Sequence, residues 1–172
     1  MKIRIASLAI AVLCSACATP SSSGGYHDRS SAKSELYNRI VELDDRLFKL
    51  GFNACDLQSL SDVTADDFEF YHDQAGTNGS KESFVASIDT YVCNNEYRAQ
   101  RRLRPETMLV FPLYRGEELY GAVQTASHEF FALYPDGREQ LTDTAKLFTL
   151  WIKTANGWKM RRSFSYDHIS YE

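Results

Sequence analysis

The stretch that most limits what this chain can fold into is residues 146–168, KLFTLWIKTANGWKMRRSFSYDH. Asn156-Gly157 signals a tight hairpin, because both central positions of such a turn require positive φ and this pair tolerates it best. The arms on either side are aromatic and β-branched, as strands require. Strict alternation on the second arm predicts that Trp158, Met160, Arg162, Phe164, Tyr166 and His168 share one face. Lys159, Arg161, Ser163, Ser165 and Asp167 then share the other. The even face starts apolar and gains Arg162, Tyr166 and His168, as the wall of a half-buried pocket would.

The chain begins with an export segment, residues 1–17. Lys2 and Arg4 precede an apolar run over 5–13 that is too short to span a bilayer as a mature helix. Leu13-Cys14-Ser15-Ala16-Cys17 resembles a bacterial lipobox, which makes Cys17 the expected lipidation site, although Cys14 stands where Leu is usual. Ordinary cleavage after Ala18 is the alternative reading, since Ala16-Cys17-Ala18 fits an A-x-A pattern. Residues 18–33, rich in Ser and Gly, read as a flexible linker from anchor to domain. The expected location is the periplasmic side of a bacterial envelope, touching membrane only through the lipid. A secreted periplasmic form is the alternative.

Roughly 140 residues follow, enough for one domain over 34–172. The net charge of −4 gives no basis for nucleic-acid binding. Ten Tyr and ten Phe must be buried or must line something. Cys55 and Cys93 remain in an oxidising compartment, so a disulfide between them is favoured over two free thiols.

In chain order, Leu36, Ile40, Leu43, Leu47 and Leu50 make an apolar stripe on a helix over 34–50, with Gly51 expected as a left-handed C-terminal stop. A short helix carries Leu57, Leu60 and Val63. A strand places Phe68, Phe70 and His72 on one face, with Glu69, Tyr71 and Asp73 on the other. Ser80 is expected to cap a helix over 81–93. Arg98, Arg101, Arg102 and Arg104 then read as a charged strand edge, equally readable as an anion site, which Pro105 breaks. Long strands over 108–114, 119–133, 144–154 and 158–166 complete an α+β domain.

Asn53-Ala54-Cys55-Asp56, Phe70-Tyr71-His72-Asp73 and Ser165-Tyr166-Asp167-His168, in this order of elements, resemble the nuclear transport factor 2-like superfamily. Within it, the chain is most similar to the SnoaL-like bacterial domain family of unknown function. The resemblance covers residues 34–168. It implies a cone-shaped, curved antiparallel sheet with three helices in the N-terminal half, and a homodimer through the outer sheet face. Relatives often place a His two residues before the Trp of the penultimate strand; this chain has Thr149 there.

The superfamily hosts isomerases, dehydratases, cyclases and non-catalytic binders, so the fold does not choose among them. The expected function is binding of a small apolar or aromatic molecule in the cone. Phe70, Tyr71, Arg102, His128, Trp151, Arg162, Phe164 and Tyr166 are the candidate ligand contacts. His72, Asp73 and His168 are the candidate catalytic residues if the pocket carries out general acid–base chemistry. A metal held by His72, His128 and His168 lacks any short ligand spacing, so no metal or other cofactor is expected. The remaining reading is a purely structural polar cluster. Nucleophilic catalysis finds no sequence support, since Ser163 and Ser165 lie outside any G-x-S-x-G elbow.

Overall fold

The computed structural model describes residues 29–171. The expected export segment and Cys17 lie outside the described residues, as does most of the expected linker. The end of that linker is helical, because the first helix α1 runs Arg29–Asp45. It continues as a π-helical turn, Arg46–Phe52.

Helix α2, Leu57–Val63, is capped by Asp56, whose side chain accepts from Ser59 N. Gly51 serves a different purpose from the one expected. It has no positive φ. It is buried under α2, where a Cβ would lie 2.9 Å from the Leu60 Cβ. The absent side chain lets two helical segments touch.

Strand β1, Thr64–His72, pairs with a short strand β2, Gly76–Asn78, that the sequence pattern did not reveal. Helix α3, Lys81–Ile88, is capped by Ser80 and ends in a second π-helical turn, Asp89–Cys93. Four long strands follow: β3 Arg98–Arg115, β4 Glu118–Leu133, β5 Glu139–Thr154 and β6 Gly157–Ser170. The sheet order is β2-β1-β6-β5-β4-β3, with every pair antiparallel except β1 and β6. Pro105 does not end β3. The register against β4 slips between Arg104 and Leu109, and this bulge on an edge strand accommodates a residue that cannot donate.

The terminal hairpin departs from strict alternation. Thr154 pairs with Gly157, so Ala155 and Asn156 form the tip. Gly157 alone takes positive φ, 96°, as in a turn followed by a glycine bulge. Along β6, Leu150 faces Arg162 whereas Trp151 faces Met160, so Arg161 is an extra residue. Beyond it the side chains change faces. Met160, Ser163 and Ser165 point inward and are buried; Phe164 and Tyr166 are exposed, at 37% and 41%. A second slip at Asp167, with φ 59°, brings His168 back inside. The expected even face therefore does not line the cone as a unit.

The core joins Leu36, Ile40, Leu43 and Leu47 of the first helical segment to Leu60, Val63, Phe68, Phe84 and Trp151. Cys55 and Cys93 form the expected disulfide, with Cα atoms 5.8 Å apart. It ties the start of α2 to the end of the α3 segment. Closing a separation of 38 residues constrains the unfolded chain by roughly 2–4 kcal/mol.

An ion pair lies inside this apolar packing. Asp44 and Arg101 are 2% and 3% exposed in their side chains and meet through two bonds of 2.6 and 3.1 Å. Gln124 Nε2 donates to Asp44 Oδ1 at 2.7 Å, and Trp151 Nε1 donates to Gln124 Oε1 at 2.8 Å. Asn53 binds both backbone groups of Arg101, and the guanidinium lies 3.8 Å over the Phe48 ring. Arg101→Met would strand the Asp44 charge in the core. Denaturant unfolding is expected to show a loss of about 3–5 kcal/mol, against a few tenths for Arg102→Met, whose partner Glu139 is exposed.

Candidate functional site

Between the helices and the concave sheet face lies a cavity of about 460 Å³. Most of its wall is aromatic or aliphatic. The first π-helical turn supplies Phe48 and Phe52, α3 supplies Phe84 and Ile88, and the strands supply Phe70, Phe130, Leu147 and Met160. Tyr91, 74% exposed, stands at the mouth with the tip of the β1–β2 hairpin.

Polar groups gather on one wall. β1 presents His72, β4 presents His128, and β6 presents Ser163, Ser165 and His168. Asp73, just past the end of β1, holds His168 from two directions. Its Oδ2 accepts the His168 backbone N–H at 3.1 Å, and its Oδ1 lies 2.5 Å from Nδ1 of the ring. Desolvation pushes the Asp73 carboxyl up, and the backbone and ring bonds from His168 outweigh it, so the net shift is downward. His72 stacks on His168 with ring centroids 4.2 Å apart. Burial, and then the neighbouring His168, lower the His72 pKa. Its Nδ1 accepts backbone N–H groups of Gln74 and Ala75, each at 3.1 Å.

His128 is the most deeply held member. Arg101 Nε donates to its Nδ1 at 3.2 Å, and its Nε2 lies 3.5 Å from Ser165 Oγ. Ser165 Oγ is in turn 3.2 Å from His168 Nε2. A hydrogen-bonded series therefore runs from Asp73 at the rim, through His168, Ser165 and His128, to the buried Arg101–Asp44 pair. Burial, and then the Arg101 charge, depress the His128 pKa to about 2.

Of the residues singled out in the sequence, Phe70, His72, His128 and His168 line this cavity, and Asp73 backs it. The others lie elsewhere. Trp151 is fully buried and bound to Gln124. Tyr71 and Phe164 stack at 4.7 Å on the outer sheet face, and Tyr71 donates to Glu69. Arg162 pairs with Glu69 at 2.9 Å. Tyr166 is exposed, and Arg102 is taken up by Glu139 and by the Phe131 ring. The Arg161 bulge accounts for Arg162, Phe164 and Tyr166, because it turns the expected inner face outward. Thr149 is buried against Ser163, with the hydroxyls 3.3 Å apart.

Sequence reasoning passed over Asp44 and Gln124, read Arg101 only as part of a charged strand edge or anion site, and set Ser165 aside for want of a nucleophile elbow. For Asp44, Arg101 and Gln124 a core signal existed. Asp44 sits four residues after Ile40, within the apolar stripe. Arg101 alternates with Ala99 and Leu103, and Gln124 with Ala122 and Ala126. A polar residue at a core-facing position needs a partner, and these three partner one another.

His72, Asp73 and His168 offer ligand atoms within 4.8 Å of one another, spacing that a cation could use. The His72 and His168 Nδ1 atoms are already engaged by backbone amides and by Asp73. A cation there would compete with those bonds. His128 has Arg101 on one nitrogen and Ser165 on the other.

The architecture is that of a helix-capped, cone-shaped α+β domain with a deep apolar pocket and one polar wall. It is the nuclear transport factor 2-like fold, also described as cystatin-like. Among solved structures, a nuclear transport factor 2-like superfamily protein from Salmonella enterica aligns with TM-score 0.61 and 18% identity, over 80% of this chain and 92% of that one. ActVI-ORFA from Streptomyces coelicolor aligns with TM-score 0.65 and 11% identity, over 78% and 97%. A protein with a cystatin-like fold from Nostoc punctiforme aligns with TM-score 0.59 and 13% identity, over 73% and 86%. No protein-family model and no curated protein matches the chain.

The folded protein keeps His128 neutral, whereas the unfolded chain protonates it below about pH 6.5. Acid therefore favours unfolding, and this part of the stability is lost as pH falls from about 6.5 towards 2. His72 adds in the same direction. Urea unfolding at pH 5 is expected to give a stability lower by roughly 2 kcal/mol than at pH 7.5 from His128 alone. His128→Phe should flatten that difference.

Proposed function

We propose that the cavity binds a small, mainly apolar, aromatic-sized molecule whose single polar edge meets His72 and His168. The observation that carries this is the distribution of the lining. Aromatic and aliphatic groups form most of the wall of a 460 Å³ space, and the imidazoles and hydroxyls of β1, β4 and β6 form one polar wall, with Ser87 of α3, Asp143 of β5 and the β1–β2 hairpin adding a few further polar groups. Such a lining stabilises a planar apolar body by surface burial and orients it through one or two hydrogen bonds. A sugar or nucleotide would leave most of its polar groups unpaired here.

Acid–base catalysis is the second reading, favoured by the 2.5 Å contact between His168 and Asp73. A carboxylate on Nδ1 fixes the ring and leaves Nε2 on the cavity side as a base.

Titration with an environment-sensitive fluorophore such as anilinonaphthalene sulfonate tests the binding reading. Saturable fluorescence enhancement is expected in the wild type. Ser87→Trp should fill the cavity and weaken binding by about tenfold or more without loss of stability. Ser87 lines the space and donates only to Phe84 O. Equal binding by both proteins would place the fluorophore elsewhere and sink the reading.

The same proposal places the domain outside the cytoplasm, tethered through lipid on Cys17. Support comes from the export segment and from the disulfide, which suits an oxidising compartment. A homodimer through the outer sheet face is part of it. Phe111, Leu109, Phe164 and Tyr166 leave apolar surface exposed on the molecule. Native mass spectrometry of protein extracted from the envelope in detergent is the check. The expected species is a dimer of chains beginning at a diacylated or triacylated Cys17. A monomer beginning at Thr19 would refute both points.

A further inference from the structure

We propose that Ser165 is an acylatable nucleophile, activated by His168 and Asp73, and that the cavity turns over esters of small apolar or aromatic acids. This rests on the cavity being a binding site for apolar molecules, and adds the reaction to it.

The direction of every bond in the buried series follows from one group that can only donate. Arg101 Nε–H points at His128 Nδ1, so that nitrogen accepts. A neutral His128 then carries its proton on Nε2 and donates to Ser165 Oγ, 3.5 Å away. Ser165, with its oxygen already accepting, directs its own proton to His168 Nε2 at 3.2 Å. His168 then carries its proton on Nδ1, facing Asp73 Oδ1 at 2.5 Å. Serine donating to an imidazole whose far nitrogen is held by a carboxylate is the constellation that activates a serine, and it is recognised by geometry and not by sequence context. Asp73 also binds the His168 backbone N–H, which fixes the carboxylate in place.

Two features distinguish this from a polar cluster that only satisfies itself. Ser165, His168, His128 and His72 all face the same cavity. His128 also donates to the serine oxygen, which lowers the cost of negative charge on it. His72 completes the wall. With its Nδ1 accepting from two backbone amides, the neutral ring bears its proton on Nε2, a donor available to an oxyanion.

The step balances without a further reactant than water. Ser165 Oγ forms a bond to the ester carbonyl carbon while its proton passes to His168 Nε2. The tetrahedral species collapses with cleavage of the carbon–oxygen bond, and His168 returns that proton to the departing alkoxide or phenoxide. Water then attacks the acyl-serine, giving a proton to His168, and the serine recovers a proton as the acid leaves.

The test uses p-nitrophenyl butyrate and an alkyl fluorophosphonate, read by p-nitrophenolate release and by peptide mass spectrometry. One adduct per chain is expected, on Ser165. Ser165→Ala should abolish it while fluorophore binding persists, and Ser165→Cys should restore acylation as a thioester. His168→Gln should lower the acylation rate by about 100-fold or more. Asp73→Asn should reduce kcat with KM little changed, as expected of a positioning residue. Labelling that avoids Ser165, or survives unchanged in Ser165→Ala, would overturn the proposal while leaving the binding site intact. If neither the fluorophore nor the reagents enter the cavity, both readings fail together.

Discussion

Arg101 and Asp44 meet where water cannot reach them, and much of the molecule is arranged to make that tolerable. Desolvating two ions costs several kcal/mol each, so the pair persists only because its remaining donors and acceptors are also taken. Gln124 and Trp151 close the carboxylate side, Asn53 clamps the arginine backbone, and Phe48 covers the guanidinium face. The pair and its partners come from the first helical segment, the loop before α2, and strands β3, β4 and β5. The pair thus fixes how the helical cap sits on the sheet, and the cavity is the space left beneath that cap. It also supplies the fixed donor from which the orientation of His128, Ser165 and His168 follows. Structure and chemistry share one anchor.

The fold was legible because its signals are periodic. The apolar stripe from Leu36 to Leu47 forms the helix it suggests, and Phe68, Phe70 and His72 share the inner face that alternation assigns them. The candidate site was legible only in part. His72, His128 and His168 are rare residue types at inward positions, and they do come together. Ser165 was hidden for a physical reason. Period-two counting across β6 assumes an unbroken ladder, and one surplus residue at Arg161 inverts the assignments from Arg162 to Tyr166. No turn residue marks that bulge, since arginine has no special backbone preference. Asp167 marks the second one only through its positive φ. Pro105 was visible, but whether a proline ends a strand or sits in a bulge depends on the edge location of β3, which is a property of the sheet.

The likeness to solved structures lies between 11% and 18% identity for the three compared above. At that distance the likeness shows a shared backbone path. Along the polar wall of this chain runs a gradient. A charged, fully buried pair lies at one end of a hydrogen-bonded series and an exposed carboxylate at the other, with two imidazoles and a hydroxyl between. Burial keeps the innermost imidazole, His128, neutral, while the Asp73 carboxylate at the other end reaches solvent.

The surplus residue in β6 couples two surfaces that would otherwise vary independently. Downstream of it, one sequence phase supplies the cavity with Ser163 and Ser165, and the opposite phase supplies the exterior with Phe164 and Tyr166. Deleting Arg161 would only straighten the ladder, since Leu150 would still face Arg162 and each later side chain would keep its face. One residue added beyond the bulge would exchange the two sets, sending Phe164 and Tyr166 into the recess and the two hydroxyls to the exterior. Chains of this architecture can therefore change ligand chemistry and self-association together, through a length change of one codon and without altering any side chain already there.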